Sequence, residues 1–484
     1  MSISWAMVIE IIYFINVILA IITVFRQRRD IAAIWAWLLV LLFLPVVGFL
    51  LYAFLGRQLP RNKMYKVKSN VTMQLDELLK KQRDFLGNEN LPADKVSDSM
   101  KSMVRMFMTT NRAFLARKNR VKIFTDGNDL FREIIEDMAR AKSSIHVEFY
   151  SFYNDKIGNR MLNQLVLKAK AGVEVRVIYD PFGSMGTYRR FFKPLLDAGG
   201  HAEPFLARSL FTDFRLNFRD HRKNVVIDGK VGYVGGFSCG DQYLGRKKRF
   251  GNWRDTHLRI AGSGVFGLQS QFTLDWNVTA RDADLPTDHI DSKYFPLTRV
   301  KGDSNLQIVT SGPDSDLQQI KMGYIRLIQS AKKRVWIQSP YLIPDDSVMD
   351  SLRIAVMAGV DVRIMIPHMP DHAFVYRATQ YYAHELAKIG VKIYYYQNGF
   401  LHAKTMVVDD NLASVGSANM DFRSFKLNFE INAFLYDHKL AQQLADIYEG
   451  DIRKSELITA KMFADQSFYL RLKQNFSRLL SPIL

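Results

Sequence analysis

The chain has 484 residues, of which 48% are hydrophobic and 24% are charged, so it is not a disordered chain and is long enough for about two or three domains. A single cysteine, Cys239, excludes an intramolecular disulfide framework and a cysteine-only metal cluster. The net charge of +18 indicates an anionic partner, either nucleic acid or a membrane rich in acidic lipids.

Two long apolar segments begin the chain. Residues 5–25 contain Glu10 as their only charged residue, and residues 31–55 contain no charged residue. A helix needs about 20 apolar residues to cross a bilayer, so both segments are long enough. The first apolar run is too long for a cleaved signal peptide and follows no basic region. The sequence therefore predicts a transmembrane hairpin over residues 1–56.

More basic residues follow the second predicted span than lie in the connection between the two spans. Three arginines lie in the connection between the spans, and five bases follow the second span: Arg57, Arg61, Lys63, Lys66 and Lys68. This bias predicts a multi-pass protein of the cell membrane whose main body lies on the cytoplasmic side. We predict that residues 57–110 form a basic juxtamembrane segment facing anionic headgroups.

A similar pattern occurs twice from about residue 111 onward. In each copy, apolar residues at helical spacing precede a strand-like run, and a second helical pattern ends at a glycine before another such run. The four strand-like runs are 145–150, 173–178, 335–338 and 360–365. Alternating strands and helices predict two similar α/β halves, 111–300 and 301–484, built on mixed or parallel sheets. One active site shared between the halves is expected, and two independent domains remain the alternative.

Each half also contains the pattern H-x-K-x-x-x-x-D. The first copy comprises His221, Lys223 and Asp228, and the second comprises His402, Lys404 and Asp409. Alternate residues of a strand point to the same face, so each histidine and its lysine are expected to project into one pocket. Each aspartate then falls at the end of the strand or in the following turn.

These residue types fit phosphodiester exchange. A neutral histidine attacks phosphorus, a protonated histidine donates to the leaving alkoxide, and two lysines neutralise the phosphoryl oxygens. Farther along each half, Ser417 and Asn419 offer hydrogen bonds to an oxyanion, and Ser238 stands at the corresponding place in the first half. Nothing in the motifs resembles an oxygen cage for a metal, so we predict neither a metal nor a cofactor.

Two such motifs in an internal repeat are the signature of the phospholipase D superfamily, and the chain resembles its bacterial cardiolipin synthases. The segments 217–223, 253–257, 339–341 and 479–484 and the two apolar segments at the start of the chain also carry the resemblance. It implies a membrane phosphatidyltransferase that converts two phosphatidylglycerol molecules into cardiolipin and glycerol through a phosphatidyl-histidine intermediate. The implied partners are anionic phospholipids and the membrane, not nucleic acid.

The resemblance also implies roles for individual residues. His221 is the expected nucleophile and His402 the expected acid. Asp255 and Glu430 are expected to accept the ring N–H of the histidine in the opposite half. Ser238 departs from the family, which often has asparagine there, and so predicts weaker phosphoryl binding in the first half.

Two other functions use the same residues differently. Water as the acceptor would give a membrane-bound phospholipase D or a phosphodiesterase, and basic charge alone suits a nuclease. A nuclease has no need of two membrane spans, however, and an inactive scaffold would not require two intact motifs. Near the C-terminus, the apolar residues of 468–484 predict packing on the core, with binding at a membrane interface as the alternative.

Overall fold

The structure is a computed structural model that describes residues 98–206, 217–280, 293–296 and 300–481, residue 285, the segment 31–44 and a few positions elsewhere before residue 98. Its helices are α1 (Ile31–Phe43), α2 (Asp98–Thr110), α3 (Gly127–Arg140), α4 (Lys156–Lys170), α5 (Lys193–Asp197), α6 (Gly264–Thr279), α7 (Gln319–Ser330), α8 (Asp346–Met357), α9 (Ala373–Lys388), α10 (Phe422–Lys426), α11 (His438–Ile452), α12 (Ala460–Ala464) and α13 (Phe468–Leu479).

The strands of the first half are β1 (Ala116–Phe124), β2 (Ser144–Phe149), β3 (Glu174–Tyr179), β4 (His201–Pro204), β5 (Arg219–Asp220), β6 (Lys223–Ile227), β7 (Val231–Gly235), β8 (Trp253–Arg254) and β9 (His257–Ala261). Those of the second half are β10 (Ser304–Ser311), β11 (Arg334–Gln338), β12 (Leu342–Ile343), β13 (Asp361–Pro367), β14 (Lys392–Tyr396), β15 (Phe400–Leu401), β16 (Thr405–Val408), β17 (Leu412–Gly416), β18 (Met420–Asp421), β19 (Asn428–Tyr436) and β20 (Ser455–Ile458).

The N-terminal region is described only in part. Helix α1 covers 13 residues of the predicted second span, and most of the first span lies outside the described residues. Among the helices that the structure describes, none has the length and apolar character needed to cross a bilayer. The chain divides into two compact units, Met1–Met64 with Leu206–Phe218, and Tyr65–Phe205 with Arg219–Leu484. Both H-x-K motifs lie in the second unit.

The second unit is built on one mixed sheet, in which sixteen of the described strands take part. The first half has the strand order β4-β3-β2-β6-β7-β9-β1, and the second half has β14-β13-β11-β16-β17-β19-β10, with β20 at its outer edge. In the first half, β2, β3 and β4 pair in parallel, whereas β6, β7, β9 and β1 pair antiparallel. Corresponding strands therefore occupy the same positions, as expected for a duplicated α/β fold.

The two halves join edge to edge. Strand β1 pairs antiparallel with β10, in a register that aligns Ala116 with Leu306 and Asn119 with Ser304, with an irregularity between these pairs. Because hydrogen bonding continues across the joint, the halves share one sheet, which argues against two independent domains.

The predicted elements occupy their expected places in the repeat. The strand-like runs correspond to β2, β3, β11 and β13, and these strands are mostly buried because helices cover the sheet. The glycines that follow α4 and α8, Gly172 and Gly359, have φ of 82° and 85°. This left-handed conformation favours glycine and ends each helix before its strand.

Helix α2 lies within the range assigned from the sequence to the juxtamembrane segment. Its residues Met103, Val104 and Phe107 are fully buried in the core of the second half. The four-residue spacing of Met103 and Phe107 aligns them on one face of the helix. Residues 98–110 are therefore part of the folded core, whereas most of residues 57–97 lie outside the described residues.

The C-terminal helix α13 does not pack its apolar residues on the core, so that prediction from the sequence is wrong. Its two buried side chains, Gln474 and Ser477, are polar, and Gln474 donates a hydrogen bond to Gln380 of α9. The opposite face exposes the large apolar side chains of Phe468, Tyr469, Leu472, Phe476 and Leu479. The periodicity that suggested a core-facing helix is present, but the helix presents its apolar face to solvent.

Candidate active site

A short strand at the first motif brings His221 beside a carboxylate of the second half. Strand β5 pairs in parallel with the start of β19, aligning Asp220 with Phe429. The backbone N–H of His221 then donates to the carbonyl of Phe429 at 2.9 Å. One residue farther along β19 stands Glu430, so the backbone register brings His221 and Glu430 together.

The second motif is held in the same way by the first half. Strand β15 pairs in parallel with β8, aligning Leu401 with Arg254. The backbone N–H of His402 donates to the carbonyl of Arg254 at 2.7 Å. The next residue after Arg254 is Asp255, which lies beside His402. Each histidine is thus positioned by backbone pairing with the other half.

The side chains of these residues form two buried histidine–carboxylate pairs. Nδ1 of His221 lies 2.9 and 3.0 Å from the two carboxylate oxygens of Glu430. Nδ1 of His402 lies 2.5 Å from Oδ2 of Asp255. An ionised carboxylate only accepts hydrogen bonds, so opposite one Nδ1 carries a proton, although Nδ1 of His402 also lies 2.8 Å from Nζ of Lys404. Nε2 of each ring is then the nitrogen available for chemistry.

The two motif lysines are buried beside the histidines. Nζ of Lys223 donates to the carbonyl of His221 at 2.6 Å, and Nζ of Lys404 donates to the carbonyl of His402. Electrostatic interactions link His221 with His402 and both lysines, and link Lys223 with Lys404. The structure therefore brings both histidines, both lysines and the two paired carboxylates into one site.

Burial and the clustered cations disfavour the protonated histidines. Burial, with the charges of Lys223 and Lys404, holds the pKa of His221 well below its usual value. Burial, with the neighbouring Lys404, lowers the pKa of His402 to about 4, although Asp255 opposes this change. Both rings are therefore neutral near pH 7 in the unliganded protein.

The lysines and carboxylates also have altered pKa values. Burial lowers the pKa of Lys223 to about 7 and that of Lys404 to about 8. Burial raises the pKa of Glu430 to about 7, against the opposing charge of Lys223. Burial also favours protonation of Asp255, but Lys404 and His402 outweigh it and keep that pKa below its usual value. A bound phosphodiester anion would favour the charged lysines and protonated histidines.

The motif aspartates lie apart from the other motif residues. Asp228 and Asp409 each stand five residues past the motif lysine, beyond a strand, which corresponds to roughly 16 Å at the rise of a strand. The carboxylate of Asp409 accepts from the backbone N–H groups of Lys332, Lys333 and Arg334 at 2.7 to 3.2 Å. Asp228 accepts in the same way from residues 142–144. Both carboxylates therefore fasten a loop to the end of a strand.

The predicted oxyanion donors have protein partners in the described structure. The hydroxyl of Ser417 donates to Oε2 of Glu430 at 2.5 Å, so it supports that carboxylate. The amide nitrogen of Asn419 donates to Asp421 at 3.2 Å, and its buried Oδ1 has no hydrogen-bond partner among the described residues. The hydroxyl of Ser238 accepts from the backbone N–H of Ser151 at 3.4 Å.

Residues outside the motifs complete the walls of the site. The ring of Tyr150 meets His221 edge-on at 5.0 Å between centroids and lies 5.2 Å from Nζ of Lys223. Trp253 lies 5.0 Å from the ring of His402. Asn428 donates to Oε1 of Glu430 at 3.2 Å. No site role was expected for these three residues, although Tyr150 ends a predicted strand and Trp253 lies two residues before Asp255.

No group of three or more metal-binding side chains occurs in the part of the chain that the structure describes. The donors at this site are ammonium groups and imidazoles in contact with carboxylates. They are suited to an anionic group such as a phosphodiester.

Comparison with known proteins identifies the family. A family model described as "Cardiolipin synthase, PLD-like domain" matches residues 134–248 and 324–452, which contain both motifs. A model described as "Phospholipase D-nuclease N-terminal" matches residues 14–57. A curated cardiolipin synthase from Listeria innocua is 47% identical over 99% of both chains. The chain belongs to the cardiolipin synthases of the phospholipase D superfamily.

A second relative extends this finding. A cardiolipin synthase from Staphylococcus aureus is also 47% identical, over 98% of this chain and 95% of its own length. Cardiolipin synthases of this superfamily are phosphatidyltransferases that act on phospholipids. The family resemblance seen in the two motifs is therefore confirmed over nearly the whole chain.

A solved structure shares the fold at low sequence identity. The crystal structure of a phosphatidylserine synthase from Haemophilus influenzae covers 79% of this chain and 100% of its own, with a TM-score of 0.60 and 15% identity. At that identity the likeness shows the fold alone. It agrees with the mixed α/β architecture of the second unit.

Proposed function

We propose that the chain transfers the phosphatidyl group of one phosphatidylglycerol to a hydroxyl of a second, which yields cardiolipin and glycerol. The observation that carries the proposal is the pairing of two buried histidines, each with a carboxylate of the opposite half and a lysine of its own motif. This arrangement supplies a nucleophile, a proton donor and two cations around one phosphodiester. It needs no metal or other cofactor.

Binding of the phosphodiester is the first step. Its anionic oxygens lie between the ammonium groups of Lys223 and Lys404, whose pKa values rise when the negative charge arrives. The same charge favours a proton on His402, which the ionised Asp255 also stabilises. The substrate thereby brings the site into its reactive protonation state.

Transfer to the enzyme follows. Nε2 of His221 attacks phosphorus, and the bond between phosphorus and the headgroup oxygen breaks. His402 donates its proton to that oxygen, so glycerol leaves and the phosphatidyl group remains bound to His221. The Nδ1–H of His221 stays on the ring and donates a hydrogen bond to Glu430, whose ionised carboxylate stabilises the positive charge that develops there.

Transfer to the acceptor completes the cycle. A hydroxyl of the second phosphatidylglycerol gives its proton to His402 and attacks phosphorus. The bond between phosphorus and His221 then breaks, and cardiolipin is released. Because every step is reversible, excess glycerol drives the reaction backward. Ser417 acts through Glu430 as a positioning residue, and Asp228 and Asp409 serve the fold.

The proposed setting is the cell membrane. Residues 1–56 form the two-span anchor, residues 57–97 lead from the membrane, and the body from residue 98 onward lies on the cytoplasmic side. The two apolar segments, the bases that follow them and the family match over residues 14–57 support this placement. Phosphatidylglycerol and cardiolipin are the anionic partners, and no nucleic acid is expected.

One assay tests the reaction itself. The full chain is purified in detergent micelles with headgroup-labelled and acyl-labelled phosphatidylglycerol, and the products are separated by chromatography. We expect labelled cardiolipin and free glycerol. Phosphatidic acid as the main product would instead establish a hydrolase, the alternative that uses the same residues.

A trapping experiment tests the roles of the histidines. With a donor that carries an activated leaving group, His402→Ala should accumulate a phosphatidyl adduct on His221, since such a group departs without an acid. His221→Ala should form no adduct, and exposed His438→Ala should turn over normally. Mass spectrometry locates the adduct, and an adduct on His402 in the native enzyme would reverse the assignment.

A further inference from the structure

Helix α13 has its polarity reversed relative to an ordinary surface helix. Its buried positions are polar, since Gln474 is 3% and Ser477 is 0% exposed. Its exposed stripe is apolar, with Phe468 72% and Leu479 73% exposed and Leu472 between them. A helix on the surface of a soluble protein normally buries its apolar face and exposes its polar face.

Hydrogen bonds hold the helix in this orientation. The side chain of Gln474 donates to Gln380 of α9 at 3.3 Å and to Gln466 at 2.9 Å. The hydroxyl of Tyr382 donates to Ser481, just beyond the helix, at 3.4 Å. Rotating the helix to bury its apolar stripe would break these bonds. These hydrogen bonds therefore fix the orientation of α13, in which the apolar stripe faces solvent.

Basic residues border the apolar stripe. Arg471, Lys473 and Arg478 are exposed along α13, with the guanidinium of Arg478 4.9 Å from the ring of Tyr381 of α9, and the helix contains no acidic residue. Nζ of Lys473 lies 5.2 Å from the ring of Tyr469, so base and aromatic ring occupy the same side of the helix. Apolar and aromatic side chains beside exposed bases are typical of helices that lie in the interface of anionic membranes.

We propose that α13 is a docking helix that lies on the surface of an anionic bilayer, with its apolar stripe inserted at the boundary between headgroups and acyl chains. Anionic headgroups complement the three bases, whereas a second copy of the chain would bring the same positive charges together. This contact fixes how the catalytic body sits on the membrane that holds its substrate. The assignment of an anionic bilayer as the partner of α13 rests on the proposed function, in which the substrate is phosphatidylglycerol.

A single fluorescent label tests the contact in the full chain. The only cysteine, Cys239, is buried, so Leu472→Cys introduces a uniquely accessible thiol for an environment-sensitive probe. Lys230→Cys, at an exposed turn of the first half, is the matched control. Each labelled protein is reconstituted into phosphatidylglycerol or phosphatidylcholine bilayers, with and without spin-labelled lipid.

The expected result is a blue shift and quenching by spin-labelled lipid at position 472 in phosphatidylglycerol, a weaker response in phosphatidylcholine, and no response at position 230. No quenching at position 472 would overturn the proposal. A blue shift that depends on protein concentration in detergent alone would also overturn it, because it would identify a second copy as the occupant. These readouts need no turnover, so they remain interpretable if the proposed reaction is wrong.

A second pair of variants tests the consequence for activity. Leu472→Ser combined with Phe476→Ser should lower transfer on phosphatidylglycerol vesicles by about tenfold, since membrane affinity scales with the buried apolar area. Transfer between monomeric short-chain phosphatidylglycerol molecules should be unchanged. Ile354→Ser combined with Met357→Ser removes two exposed apolar side chains from α8 and is the matched control. Equal losses in both variants, or a loss on monomeric substrate, would contradict a docking role.

Discussion

Gly236 and Ser417 stand at equivalent places after β7 and β17, yet they act differently on the two carboxylates of the site. A Cβ atom on Gly236 would lie 1.9 Å from Oδ1 of Asp255, so only glycine leaves room for that carboxylate. Ser417 instead supports Glu430 with its hydroxyl at 2.5 Å. The pair between His402 and Asp255 therefore depends on the absence of a side chain at position 236. The pair between His221 and Glu430 has an additional hydrogen bond from Ser417.

Gly236→Ala should disable the enzyme by displacing Asp255 from His402. We expect kcat to fall by about 100-fold or more, because small misplacements of catalytic groups have effects of this size. Steady-state transfer in micelles and the adduct yield would measure the loss. Gly450→Ala in α11, where the new Cβ would meet only Arg453 at 3.7 Å, should leave kcat unchanged. Normal activity in Gly236→Ala would show that the pair between Asp255 and His402 is dispensable.

The lowered pKa values of the lysines predict that activity declines at an unusually low pH on the alkaline side of the pH–rate profile. Burial lowers the pKa of Lys223 to about 7 and that of Lys404 to about 8, so the free enzyme loses these cations as the pH rises through that range. We expect kcat/KM to decline with an apparent pKa in the same range. The decline of kcat should occur at higher pH, because bound phosphodiester stabilises both ammonium groups. A decline only near 10.5, the ordinary lysine pKa, would contradict the prediction.

At the scale of the elements, short strands determine which groups meet. The strands β5 and β15 have two residues each, and both pair in parallel with a strand of the opposite half. Their register sets His221 beside Glu430 and His402 beside Asp255. At the other end of β6 and β16, the motif aspartates hold the loops that precede β2 and β11. Each motif thus contributes chemistry at one end of a strand and stability at the other.

Asp409→Ala should destabilise the fold more than it harms the chemistry. It removes hydrogen bonds to three backbone N–H groups, and we expect the free energy of unfolding to fall by about 2 to 4 kcal/mol. The kcat of the folded fraction should stay close to that of the native enzyme. Denaturant unfolding of the detergent-solubilised protein measures the first quantity, and transfer assays measure the second.

The neighbouring Asp410→Ala is the matched control for this prediction. Asp410 pairs with Lys333 at 2.8 Å on the surface, where ion pairs contribute less than about 1 kcal/mol. A large fall of kcat in a fully folded Asp409→Ala protein would instead place this carboxylate in the reaction.

At the scale of the whole molecule, the site belongs to both halves together. Each histidine pairs with a carboxylate of the other half, and β1 and β10 join the halves into one sheet. The histidine–carboxylate pairs therefore need both copies of the repeat. The apolar segments at the start of the chain precede this unit and contribute none of the motif residues.

Removal of residues 1–56 should weaken membrane attachment without unfolding the catalytic body. We expect the shortened protein to retain measurable transfer in detergent–lipid micelles and to bind anionic vesicles through its basic surface and α13. That binding should weaken between low and physiological salt, because exposed charges are screened over about 10 Å at 0.1 M. Flotation with vesicles at two salt concentrations measures it, and the full chain should not respond. If the shortened protein were unfolded, or bound vesicles at high salt as firmly as the full chain does, the division into a membrane anchor and a catalytic body would be wrong.

The sequence by itself determined the features that depend on local pattern. The two H-x-K motifs, the repeat of strands and helices and the family could be predicted because apolar periodicity and motif spacing are properties of the chain. The family resemblance also directed attention to Asp255 and Glu430.

Only the tertiary structure decided which atoms meet. The resemblance implied that Glu430 and Asp255 meet the histidines of the opposite half. The contacts of Trp253 with His402 and of Ser417 with Glu430 depend on long-range register, which cannot be read from spacing along the chain. Likewise, the sequence shows that α13 is amphipathic but not which face contacts the protein. The hydrogen bonds of Gln474 and the packing of Ser477 against α9 decide that the apolar face points outward.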